Sequence, residues 1–89
     1  MTPADVYSLG IVLFAALSKQ PPFTGINIRQ LAFAHRRRAV PEIRQYRMGV
    51  SLEVSQAIAH MLAKEPLRRP TAEQVVAWMS ELEIAELAA

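Results

Sequence analysis

The chain has 89 residues, 52% hydrophobic and 20% charged, with a mean hydropathy of +0.14; the length predicts one domain and the balance is too apolar for a disordered segment. The absence of cysteine excludes a disulfide framework or a thiolate metal site, and no basic stretch precedes the first apolar run, which argues against a secretory signal and for a cytoplasmic setting. The net charge of +2 hides a split: residues 1–50 hold seven Lys/Arg against Asp5 and Glu42, and residues 51–89 hold three against six Glu. The first half is therefore at +5 and the second at −3, an asymmetry that identifies no function by itself.

The first predicted element, 2–18, opens as a capped helix. Thr2 is the cap, Pro3 fits the first position and Asp5 stands three residues after the cap. From Val6 to Leu17 the helix is apolar on every face, which implies burial in a larger body or a membrane. The run is shorter than the roughly 20 residues a bilayer needs, so it reads as the central helix of a core. A chain of 89 residues is barely enough to surround it, and a fragment or truncated product is expected. Pro21, Pro22 and Gly25 then break the helix, and Phe23 should fold back onto the core.

A second helix is predicted over 27–37, with Ile28, Leu31, Ala32 and His35 on its inner stripe. Residues 39–50 lack a period and read as an irregular connection anchored by Val40, Ile43 and Tyr46. A third helix, 51–64, starts at the Ser51 cap with Glu53 in its first turn, packs through Val54, Ile58, Met61 and Leu62, and ends before Pro66. A fourth, 71–87, opens on a Thr71/Gln74 capping box, with Val75, Met79 and Leu82 on one face and Val76, Trp78 and Leu87 nearby. Fraying is expected over 85–89. The fold class is all-α, four helices around the first, with no strand and no repeat.

Two motifs extend this reading. Residues 5–14, DVYSLGIVLF, followed by QPPF at 20–23, and residues 61–72, MLAKEPLRRPTA, together resemble the end of a serine/threonine protein kinase domain of the bacterial, eukaryotic-like type. The resemblance covers roughly Thr2 to Leu82. It implies that 2–18 is helix F of the lower lobe, 27–37 helix G, 51–64 helix H and 71–87 helix I. The whole of 1–89 is then the C-terminal part of the catalytic domain. The implied function is transfer of the ATP γ-phosphate to Ser or Thr hydroxyls by the intact parent, with this segment supplying scaffold and a docking surface. ATP and Mg²⁺ are the parent's cofactors, and none is expected in this chain. Phosphoryl transfer requires the catalytic-loop Asp and Asn and the Asp of Asp-Phe-Gly. The sequence has one Asp, Asp5, one Asn, Asn27, and no Gly-rich phosphate loop, so the chain is expected to be inactive alone.

The resemblance gives two residues scaffold roles. Asp5 would accept hydrogen bonds from the catalytic-loop backbone; otherwise it is a helix-capping acid. Arg69 would pair with the Glu of Ala-Pro-Glu; without that partner it must find another carboxylate or stay solvated. Glu65 stands where the family has Asp, which leaves the local turn open, and Arg68 reads as surface. Ser18-Lys19 stands where the family often has Thr-Gly, and reads as loop variation. Arg36, Arg37 and Arg38 form a candidate docking surface for a protein substrate or regulator at helix G; the plainer reading is a solvated basic helix end. A nucleic-acid site there, metal binding by His35 and His60, and nucleophilic catalysis by Ser8 or Ser18 are not expected. The partners implied are the rest of the kinase domain, or another protein covering helix F, with no membrane segment. The alternative function is a stand-alone helical interaction module.

Overall fold

The computed structural model describes the backbone of residues 1–25 and 27–88 and the side chains of those up to Glu81. It is all-helical: α1 (Pro3–Ser18), α2 (Ile28–Arg37), α3 (Leu52–Met61) and α4 (Ala72–Ala88), with 3-10 turns at Ile43–Gln45 and Pro66–Arg68. Among the described residues there is no strand. No described helix is long and apolar enough to cross a membrane.

α1 begins as its sequence dictates. The Asp5 N–H donates to Thr2 Oγ1 at 3.2 Å and the Thr2 N–H donates to Asp5 Oδ2 at 2.9 Å, a complete capping box. Only one side of the helix is closed: Val6, Gly10 and Phe14 are buried at four-residue spacing, while Val12 is 61% exposed. The dimensions account for this. The body measures 44 × 28 × 15 Å, and a helix with its side chains is already about 10–12 Å across. So thin a slab covers α1 on one side and leaves the other open.

The covered side packs on α3. Gly10 is where the two helices come closest: a Cβ there would lie 2.9 Å from Met61 Cβ and 3.0 Å from Leu62 Cδ2. Around this crossing, Phe14, Ile43, Val50, Ile58 and Leu62 form one buried cluster, and Val6, Met61 and Val75 form a second that brings in the start of α4. Phe23 is buried, as expected of a large apolar group in that loop, and Ile43 anchors the irregular connection. Tyr46 stays 43% exposed yet meets the Phe14 ring edge-on at 6.0 Å. The connection is also held by polar contacts: the Ser55 hydroxyl donates to Glu42 Oε1 at 3.1 Å, and Arg47 donates to the Leu17 carbonyl at 3.0 Å.

Several expectations need correction. α3 stops at Met61, not residue 64. The Ala63 N–H turns to the His60 carbonyl at 3.2 Å, and the Ala63 and Lys64 carbonyls are taken by Arg69. On α2, Ile28 is 85% exposed and Ala34 fully buried; the inner stripe is Leu31, Ala34 and His35, because the helix docks through its second half. Met79 and Val76 are exposed, at 44% and 62%, since α4 touches the body through Val75 in its first turn. The expectations for the side chains of Leu82 and Leu87, and for Ala89, lie outside the described residues. Despite the Glu65 substitution the local turn forms, with the Arg68 N–H donating to the Glu65 carbonyl at 3.0 Å. Arg68 is a surface residue paired with the Glu65 carboxylate at 3.0 Å.

Lys19 closes α1 in the left-handed conformation, φ 63°, with its N–H on the Ala15 carbonyl. It is the only non-glycine residue with positive φ among the described residues. That conformation costs an L-residue roughly 1–2 kcal/mol, part of which a glycine returns as extra unfolded-state freedom. Lys19→Gly should therefore raise stability by about 0.5–1 kcal/mol, read as a higher urea midpoint at unchanged slope.

Candidate functional site

The two sequence motifs meet in space at Arg69. This residue leaves the Pro66–Arg68 turn in extended backbone, φ −75° and ψ 151°, which sends its side chain back over the start of α1. Nε donates to the Ala63 carbonyl at 2.8 Å and NH1 to the Pro3 carbonyl at 3.0 Å, with NH2 a long 3.5 Å from the Lys64 carbonyl. The guanidinium lies over the Tyr7 ring, 4.6 Å from its centroid, a cation–π geometry. Among the described residues Arg69 thus finds no carboxylate: backbone carbonyls take three of its donors, and its Pro3 end stays open to solvent. Its fork has five donors, three of them engaged in these bonds.

From Tyr7 the contacts run on into α2. The Tyr7 hydroxyl is hydrogen-bonded to Nδ1 of His35, and the His35 ring meets Tyr7 and Phe23 edge-on at 5.7 and 5.0 Å. Lys64 completes the seam. Its ammonium donates to the His35 carbonyl at 2.8 Å, reaches the Ala34 carbonyl at 3.5 Å, and sits 4.3 Å from the Phe23 ring centre. The Lys64 ammonium is thus held on carbonyls near the end of α2 and the Arg69 guanidinium on those of Ala63, Lys64 and Pro3, each beside an aromatic face. Tyr7, His35, Phe23 and Lys64 were not legible as a group; the one clue is that the first motif supplies aromatic residues, Tyr7 and Phe23, and the second supplies cations, Lys64 and Arg69.

Burial pushes the Tyr7 hydroxyl above its ordinary pKa, with Arg69 partly opposing. Burial also lowers Lys64, and Arg69 adds to that. His35 is held below the usual histidine value by burial first and Lys64 second. A depressed histidine pKa means the unfolded chain binds the proton more readily than the folded one, so stability must fall as pH drops below about 6.5. The ring is only partly buried, and solvent screening keeps the effect below about 1 kcal/mol. Urea midpoints measured from pH 7.5 to 5 should decline more steeply for the wild type than for His35→Asn.

Asp5 lies at the open end of α1. Its carboxyl is held below the ordinary value chiefly by the Thr2 backbone N–H, then by the Thr2 hydroxyl. Arg36, Arg37 and Arg38 are all exposed at the negative end of the α2 dipole, but the structure does not use them alike. Arg38 joins Arg29, Gln30 and Phe33 around an open groove of about 670 Å³, which Arg36 and Arg37 do not line. His35 and His60 serve different elements; His60 stacks on Trp78 at 6.4 Å. Among the described residues no three His, Cys, Asp or Glu side chains converge on a metal position, so the donor set does not fit the kinase Mg²⁺ pair.

Comparison with known proteins agrees with the motifs. The protein kinase domain family model matches residues 1–79. The chain is 43% identical over 70 residues to the serine/threonine-protein kinase drp72 of Corynebacterium efficiens, covering 78% of this chain and 13% of that protein. It is 37% identical over 67 residues to PknB of Mycobacterium tuberculosis, covering 74% and 10% respectively. With PrkC of Bacillus subtilis it shares 35% over 75 residues, 83% of this chain and 12% of that kinase. The chain therefore spans only about an eighth or less of these relatives' length. By the family model and by these relatives, the chain belongs to the protein kinase domain family, within its bacterial serine/threonine branch.

Proposed function

We propose that this chain is the helix F to helix I part of a serine/threonine kinase lower lobe. The intact parent transfers the ATP γ-phosphate to Ser or Thr hydroxyls; this part carries the catalytic loop on α1, offers α2 as a docking surface, and has no activity alone. The observation that carries the reading is Arg69: it ties the second motif to the first through Pro3 and Tyr7, as a scaffold built to hold a lobe together would. Two guanidinium donors outside the bonds described remain for a carboxylate from the rest of the domain. Asp5, in the capping box at the open end of α1, would receive hydrogen bonds from the catalytic-loop backbone of the parent. In the sequence itself, one Asp and one Asn are too few for the kinase metal and base set. Purified 1–89, incubated with ATP, Mg²⁺ and a generic Ser/Thr substrate, should transfer no phosphate and bind no ATP by calorimetry. Turnover that survives repurification would refute this assignment.

The exposed outer side of α1, with Val12 at its centre, favours a second reading, a helical module that binds a protein through α1. Light scattering and a dye that reports apolar surface separate the two. A monomer with no dye-accessible surface counts against the module.

A further inference from the structure

Away from α1 and α2, a groove of about 550 Å³ runs between α3 and α4. We propose that it is a docking site for a basic amphipathic peptide segment, which would place an arginine stem on its floor and the guanidinium among its acids. Val54 and Ala57 supply an apolar floor, Trp78 and His60 an aromatic wall, and Glu53 and Glu81 the charge. The Trp78 and His60 rings are stacked at 6.4 Å and 30°, which holds the indole as a platform. Glu53 lies two turns before His60 on α3, and Glu81 one turn beyond Trp78 on α4.

Charge complementarity selects the occupant. The carboxylates of Glu53 and Glu81 make none of the ion pairs found among the described residues, where Glu65 is the acid engaged. The half of the chain from residue 51 carries six Glu against three Lys/Arg. A guanidinium gains from carboxylates and from an indole face together, whereas an anionic or purely apolar ligand gains from one surface at most. The proposal does not rest on the kinase assignment, and it concerns a different surface from α2.

Trp78 is the sole tryptophan, so its emission reports this groove alone. The test titrates the full chain with a short helical peptide carrying two arginines one turn apart beside a leucine, and with the same peptide in which both arginines are glutamates. A saturable emission change with the first peptide and none with the second is expected. Glu53→Gln/Glu81→Gln, its helicity checked by circular dichroism, should weaken binding about tenfold or more and flatten its salt dependence. Equal response to both peptides, no saturable response, or unchanged affinity in the double variant overturns the proposal. So does self-association of the chain alone that the double variant abolishes, since the occupant is then a second copy presenting Arg36–Arg38. If the double variant loses helicity, the two-peptide comparison on the wild type decides.

Discussion

Phe14→Ala should cost about 3–5 kcal/mol, the range for emptying a buried aromatic position. Phe14 is 1% exposed and packs among Ile43, Val50, Ile58 and Leu62, which come from the irregular connection, α3 and the turn after it. The connection and the end of α3 are separately anchored and cannot both shift inward to fill one hole, so the upper part of the range applies. The variant also loses the edge-on Tyr46 contact, worth about 0.5–1.5 kcal/mol beyond area. Domains of this length hold roughly 4–13 kcal/mol in total, so most of the folded population is at stake. Urea unfolding followed by circular dichroism reads the loss. The control is Val12→Ala on the open side of the same helix, expected within about 0.5 kcal/mol of wild type. Equal losses at the two positions would mean that the outer side of α1 is covered in solution.

That contrast between Phe14 and Val12 is what the sequence leaves hidden. A helix that is apolar all round carries no periodic signal to say which side packs, so its existence was legible and its orientation was not. One residue does mark the covered side: Gly10, midway between Val6 and Phe14 at four-residue spacing, sits where α3 comes too close for a Cβ. On α2 the hydropathy stripe favoured Ile28 and Ala32, yet Ala34 is the contact. Its small side chain sits beside the carbonyl that Lys64 approaches, and size, not hydropathy, decides there. The caps at Thr2, Ser51 and Thr71 were readable because each depends on residues within three positions of one another. Lys19 took a left-handed cap without glycine, supported by the Ser18 hydroxyl, which donates to the Phe14 carbonyl at 2.7 Å. For the candidate site, residue types pointed to Arg69 but not to its partners. Carbonyl acceptors belong to every residue alike, and only the chain's path selects Pro3 and Ala63.

Arg69→Ala should cost about 2–4 kcal/mol, the second-largest single-site loss. Two of its bonds are short, to Ala63 at 2.8 Å and Pro3 at 3.0 Å; the third, at 3.5 Å, contributes little at that length. Bonds to a charged group contribute about 1.5–3 kcal/mol each, but the Pro3 end is exposed, and water there replaces part of what is lost. The Ala63 carbonyl is less accessible and stays poorly satisfied. Arg69→Lys keeps the charge, yet a single ammonium does not span Ala63 and Pro3 or lie flat on Tyr7, so it should recover less than half the loss. A second readout separates this role from simple packing. Arg69 now opposes the burial that raises the Tyr7 hydroxyl and deepens the lowering of Lys64. Removing the guanidinium should move both groups to higher pKa. For Tyr7, whose folded value already lies above its unfolded one, stability is kept below the unfolded value near 10 and lost as pH climbs through the folded value. The alkaline loss in Arg69→Ala should therefore extend to higher pH than in wild type. NMR titration of the Tyr7 ring resolves it from Tyr46, and a Tyr7 curve that stays in place in Arg69→Ala would show that the cation over its ring has no electrostatic hold on it.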